Sequence, residues 1–157
     1  MSKLKLTVEL VPKSAWFQNV RSEFTKPQWD MIRRRSYRLA NHRCQICGCN
    51  PDVLECHETW RWDADAMTQI LTGFIALCPD CHKVKHAGLW INKGFKNLVI
   101  EHLAIVNSIT AKEAELHVLE SFITWRKNSE DPTKWKLDIS YAHEYLNTSI
   151  AESNMKL

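Results

Sequence analysis

An α+β fold is what this sequence predicts, and three observations carry the prediction. Lys3 to Leu10 alternates apolar and polar residues, with Leu4, Leu6, Val8 and Leu10 set against Lys5, Thr7 and Glu9, which is the period of a half-buried strand. Residues 95–127 switch to helical spacing, and Thr110-Ala111-Lys112-Glu113 within them reads as a capping box. Between these regions lie two Cys-x-x-Cys pairs, Cys44-Gln45-Ile46-Cys47 and Cys78-Pro79-Asp80-Cys81. Such a pair brings two thiolates to one ion from a tight turn, so two pairs predict a tetrahedral four-cysteine site.

The elements follow in order. Pro12 closes the first strand, and Trp16, Phe17, Val20 and Phe24 give Ser14 to Thr25 some helical spacing. Pro27 suits a first helical turn, and Trp29, Ile32, Tyr37 and Leu39 supply apolar positions for a helix to about Ala40. Val53 to Thr59 and Phe74 to Leu77 read as strands, joined by a longer connection over residues 60–73. A helix is expected from Pro79 to Ala87, with Gly88 as its C-terminal cap. Helices over residues 95–106 and 110–127 follow, then a short strand at Trp135, Leu137 and Ile139. The two terminal strands each need a partner and are expected to pair with each other. Residues 147–157 read as a flexible tail.

The length of 157 residues suits a single domain, with 29–88 as its core and 1–28 and 89–146 as flanking extensions. A hydrophobic fraction of 45% with 25% charged residues argues against wholesale disorder. No apolar run approaches the length of a membrane span, and the start of the chain lacks the apolar stretch of a secretory signal. A cytoplasmic setting is therefore expected, where paired cysteines serve as metal ligands rather than disulfides. Cys49 and Cys56 are read as ordinary thiols.

Histidines crowd the cysteine pairs. His82 and His86 are four apart on a predicted helix and share one face, while His57 sits on a predicted strand. Three imidazoles beside a metal cluster predict a second, open metal site. Zn, Ni or Mn suits such ligands better than Mg, and Asp63 or Asp65 could add a carboxylate. The net charge is only +3, but Arg33, Arg34, Arg35, Arg38 and Arg43 precede the first cysteine pair, and Lys83 and Lys85 follow the second. Arg33, Arg34, Arg38, Lys83 and Lys85 are the candidate nucleic-acid contacts. Trp60 and Trp62 are candidates to line the site, whereas Trp29, Trp90 and Trp125 are expected in the core.

Leu54-Glu55-Cys56-His57-Glu58-Thr59, followed by Leu77-Cys78-Pro79-Asp80-Cys81-His82-Lys83-Val84-Lys85-His86, resembles the HNH endonuclease motif of the ββα-metal superfamily. The lead-in from Tyr37 to Gly48 is similar to the segment before the first zinc knuckle of such proteins. The resemblance spans about residues 29–88. It implies a ββα-metal core holding a structural zinc on Cys44, Cys47, Cys78 and Cys81. It also implies a catalytic divalent ion (Zn, Ni, Mn or Mg) on His57 and His82, with His86 as an extra ligand. In the first of two registers Glu58 is the general base; in the second His57 is the base and Cys56 the ligand. Glu58 stands where the family usually has histidine, and the family's Asn position falls at Thr72 or Gly73. The implied function is a metal-dependent DNA endonuclease or nickase. The alternative is a catalytically inactive zinc module that binds DNA or a protein. The sequence leaves the oligomeric state open.

Overall fold

The computed structural model describes residues 3–15 and 20–156, so Trp16 and Phe17 lie outside the described residues. It is an α+β protein. Helix α1 (Lys26–Leu39) leads into strands β1 (Glu55–Asp63) and β2 (Thr68–Leu77). Short helices α2 (Pro79–Lys85) and α3 (Ala87–Asn92) follow, then α4 (Lys96–Asn107) and α5 (Ala111–Ser129). Strand β3 (Lys136–Asp138) and helix α6 (Ser140–Asn154) close the chain.

Local chemistry sets the helix starts. Thr25 caps α1 through a reciprocal pair with Gln28, and Thr110 caps α5 through the same arrangement with Glu113. After α1 the chain reverses sharply through Asn41 and His42, both left-handed at φ 52° and 56°. This reversal delivers Cys44 to its turn.

β1 and β2 form an antiparallel hairpin, pairing His57 with Ile75 and Asp63 with Thr68. The connection expected over residues 60–73 is therefore mostly strand. Both strands run on past a register shift at Thr59/Trp60, and Asp63 Oδ1 accepts the Ala66 N–H to close the turn. β3 adds to β2 in parallel.

The hairpin stands between two cores. Cys56, Leu71 and Phe74 pack with Trp29 and Ile32 of α1 and with Ala142, Tyr145 and Leu146 of α6. Leu77, Cys81 and Val84 pack with Leu6, Val8, Val99, Leu103, Ala114 and Val118. The tail expected from residue 147 is instead the second half of α6, with Ser149 buried and Glu152 paired to Arg35 and Arg38.

The segment from Lys3 to Val11 corrects another expectation. Leu6 and Val8 are buried as its alternation predicts, but it joins no sheet. Side chains take most of its backbone N–H bonds: Asn107 Oδ1 accepts from Lys5 and Leu6 and His117 Nε2 accepts from Val8, while the Glu9 N–H donates to the Lys85 carbonyl. The expected pairing of the terminal strands is absent, because β3 takes β2 as its partner. Gly88 does not cap a helix either. It lies inside α3, where an added Cβ would come within 3.3 Å of Leu10 Cδ2, so it lets this segment approach closely. Among the described residues no helix is long and apolar enough to cross a membrane.

Candidate metal centre

Two clusters of metal-ligand side chains flank α2. The first joins Cys44, Cys47, Cys78 and Cys81, whose sulfurs all lie within 4.8 Å of one another. Gly48, at φ +79°, lets the first pair close its turn, and its N–H donates to Cys44 O. Gln45 ties that turn to β2 by exchanging two hydrogen bonds with Ala76. Cys78 caps α2, accepting the Cys81 N–H. A tetrahedral ion with metal–sulfur bonds of about 2.3 Å sets its sulfurs about 3.8 Å apart. Cys47 Sγ and Cys78 Sγ are 3.8 Å apart. A hydrogen bond from Cys81 brings the Cys44 thiol down to about 4, and the same contact pushes Cys81 up.

Cys49 and Cys56 stand outside this set. Cys56 is buried against α1, and burial pushes its thiol up to about 12. Desolvation and the neighbouring Cys47 and Cys78 sulfurs raise Cys49 to about 12. One contact had no signal in the sequence: His102 Nε2 of α4 lies 3.2 Å from Cys81 Sγ.

The second cluster joins His57 of β1, His82 of α2 and His86 at its C-terminal cap, with ligand nitrogens again within 4.8 Å. The ring centroids of His57 lie 5.3 Å from those of both His82 and His86. His82 Nε2 and His86 Nε2 face each other at 3.0 Å. Metal–nitrogen bonds of about 2.1 Å at a tetrahedral angle would ask for about 3.4 Å, a small opening from that distance. His57 Nδ1 is buried without a hydrogen-bond partner. A buried ring nitrogen with nothing to bind calls for a partner, and a cation would supply one.

Carboxylates stand behind these rings. His82 Nδ1 donates to Glu55 Oε2 at 2.6 Å, and His57 Nε2 donates to Glu9 Oε2 at 2.9 Å. A carboxylate that takes the outer N–H turns the other ring nitrogen inward as a lone pair, the usual backing of a metal-bound histidine. Burial raises the Glu9 carboxyl, but the His57 hydrogen bond and the Lys85 charge overcome it and bring it to about 2. Desolvation lowers His82, although Glu55 opposes this, and desolvation with the charges of His82 and His57 brings His86 to about 4. Both rings are therefore neutral at pH 7, the form that binds metal. Either cluster could hold an ion.

The other expected site residues are placed differently. Glu58 follows His57 in an extended strand, so it leaves the opposite face, beside Cys56. It makes no hydrogen bond to the three histidines, and its one link to them is its charge, which opposes the lowering of His82. The carboxylate that meets them from β1 is Glu55, two residues before His57 and on its face, an i, i+2 relation that was legible in the sequence. Asp63 lies at the hairpin tip with Asp65 beyond it, roughly 20 Å of strand from His57, so neither joins the cluster. Thr72 Oγ1 is bonded to Thr59 Oγ1, and Gly73 offers no side chain.

Among the expected nucleic-acid contacts, Lys85 is corrected outright. It is buried, and its ammonium donates to Thr7 Oγ1 at 3.0 Å and Glu9 Oε1 at 2.8 Å. Arg33 pairs with Asp30, Arg38 pairs with Glu152, and Lys83 lies over the Trp90 ring near Asp80. Arg34 is exposed beside Arg35, Arg38 and Lys156. Trp60 and Trp62 line a cleft of about 510 Å³ with Glu9, His117, Glu120 and Trp125. A second cleft of about 350 Å³ reaches His86 and shares Glu9 and Trp125 with the first. No protein-family model, curated protein or solved structure matches this chain, so its chemistry is read from these residues alone.

Proposed function

We propose that the chain is a metal-dependent phosphodiesterase of the HNH type, a DNA endonuclease or nickase on a ββα-metal core. In this reading the four cysteines hold a structural zinc and His57, His82 and His86 hold the working divalent ion. The observation that carries the proposal is the convergence of three imidazole nitrogens from β1 and α2 within 4.8 Å, on the helix whose first turn completes the cysteine cluster.

A divalent ion held there would polarise a phosphate oxygen, stabilise the leaving oxygen and acidify a water. The chain's own residues do the rest. Glu9 and Glu55 accept the outer N–H of His57 and His82, which leaves the other nitrogen of each ring as the one available to an ion. His86 stands at the exposed side, where a cleft opens and substrate can approach. Three histidines leave a coordination position for phosphate or water, whereas four thiolates leave none. Glu58, on the opposite face, is not part of this mechanism.

Conversion of supercoiled plasmid to nicked or linear forms tests the proposal, run with Mn, Ni, Zn or Mg. Cleavage that depends on metal and disappears in His82→Ala supports it. The internal partners of Arg33, Arg38, Lys83 and Lys85 favour a second reading, a silent zinc module. Plasmid left intact with every metal establishes that reading instead.

A further inference from the structure

The least expected neighbours of the histidine cluster come from the N-terminal segment. Glu9 arrives from 48 residues before His57 and places one carboxylate oxygen 2.9 Å from His57 Nε2. Its other oxygen accepts from Lys85 Nζ at 2.8 Å. Lys85 is itself buried and also donates to Thr7 Oγ1 at 3.0 Å. The Glu9 N–H donates to Lys85 O at 3.3 Å, so the two residues are joined by backbone and by side chain. Behind His57 the order is therefore imidazole, carboxylate, buried ammonium. The other ring nitrogen of His57, Nδ1, is buried with no hydrogen-bond partner among the described residues, and the His57 ring centroid lies 5.3 Å from those of His82 and His86.

A neutral imidazole carries one donor and one acceptor, and an ionised carboxylate can only accept. Glu9, ion-paired to Lys85, thus demands the proton on Nε2 and leaves the lone pair on Nδ1. We propose that Glu9, clamped by Lys85, is the positioning residue of the histidine site, fixing the tautomer and ring orientation in which His57 Nδ1 receives a divalent ion. This rests on the reading that the three histidines hold an ion, and it extends that reading to a segment outside the β1-β2-α2 unit. Glu9 never touches the ion; it acts through His57. The segment that carries it joins no sheet and is fastened largely by side chains, from Asn107, His117 and Lys85. The metal site and the docking of the N-terminal segment are therefore coupled.

The test uses the full chain and does not depend on DNA cleavage. In histidine-labelled protein with zinc only at the thiolates, nitrogen NMR reads the His57 tautomer directly. The expected result is Nε2–H in the parent and a mixed or reversed tautomer in Glu9→Gln, whose amide can donate as well as accept. Zinc titration against a chromophoric chelator reads the second equivalent. Glu9→Gln should weaken it about 10- to 100-fold, the usual effect of losing such a backing residue, while the first equivalent stays on the cysteines. Glu9→Asp should recover part of the loss. A parent tautomer with the proton on Nδ1 overturns the proposal even where the variants fail to fold. So does a Glu9→Gln protein with unchanged tautomer and zinc affinity. A protein that cuts no DNA but shows both effects keeps Glu9 in this role while the nuclease reading falls.

Discussion

The four-cysteine and three-histidine clusters share α2, yet they are built in opposite ways. The cysteine cluster is placed by backbone: a glycine-closed turn at Gly48 and the N-terminal cap of α2. Three of its four members are buried, and all fall between residues 44 and 81. The histidine cluster is placed by side chains. Its rings are held by carboxylates at positions 9 and 55, and it opens at His86 beside a cleft. A closed shell set by backbone geometry suits folding. A shell set by side-chain bonds and left open on one side suits exchange of ligands.

The largest expected effect breaks this contrast at the cysteines. Structural zinc binds such sites with about 10–16 kcal/mol at neutral pH. That matches or exceeds the roughly 5–15 kcal/mol that holds a typical domain folded. Stripping the metal with a strong chelator, or making Cys78→Ser, should abolish the cooperative thermal transition seen by circular dichroism. A stripped protein that melts at the parental temperature would refute a folding role for this cluster.

The next effect belongs to the histidines and spares the fold. His82→Ala should lose one bound metal equivalent and all metal-dependent cleavage, with the circular dichroism spectrum unchanged. The largely buried ring contacts Glu55 and His86 of the same site, and the four thiolates remain. Loss of both metal equivalents in this variant would show that the clusters fold as one unit and are not divided between folding and chemistry.

A smaller and sharper effect separates two carboxylates of β1. Glu55→Gln should weaken the histidine-site metal about 10- to 100-fold, because it removes the acceptor of the His82 outer proton. Glu58→Gln should leave metal binding and cleavage at parental values, since its side chain leaves the other face of the strand. Abolished cleavage in Glu58→Gln, with metal retained, would restore Glu58 to the base role that the family resemblance implies.

These two residues also show where the sequence was legible. The cysteine spacing and the i, i+4 histidines specify local geometry, so both metal-ligand sets could be read before the fold was known. The capping boxes of α1 and α5 are equally local. Glu58 was assigned by motif register, although strand alternation points it away from His57 and selects Glu55. Glu9 carried no local signal at all: it is the polar side of an alternating segment, and only the tertiary fold brings it to His57. The same segment shows why its strand assignment failed. Alternation reports which side chains are buried, and Leu6 and Val8 are, but it does not report where the backbone groups bond. At α6 the error ran the other way, because the helix owes its place to packing of Ala142, Tyr145 and Leu146 on α1 and the hairpin.

The smallest expected effect tests the closed shell from its edge. Cys47 and Cys49 are two residues apart and both exposed, so exposure does not tell ligand from bystander. Membership of the cluster does: Cys47 Sγ meets Cys78 Sγ at 3.8 Å, while four sulfurs without Cys49 already complete a tetrahedral set. The contribution of Cys49 to the turn is its carbonyl, which accepts the Cys44 N–H at 2.9 Å and survives a change of side chain. Cys49→Ser should keep the full metal content and stay within about 0.5 kcal/mol of parental stability, the range of ordinary surface substitutions. In a chain of this size that is a shift of about 1–2 °C in Tm. Cys47→Ser should instead release the structural metal and lose the transition. Equal metal loss in both variants would mean that the thiols exchange places in the shell, and the boundary between a fixed and an adaptable metal site would then run through the first cysteine turn.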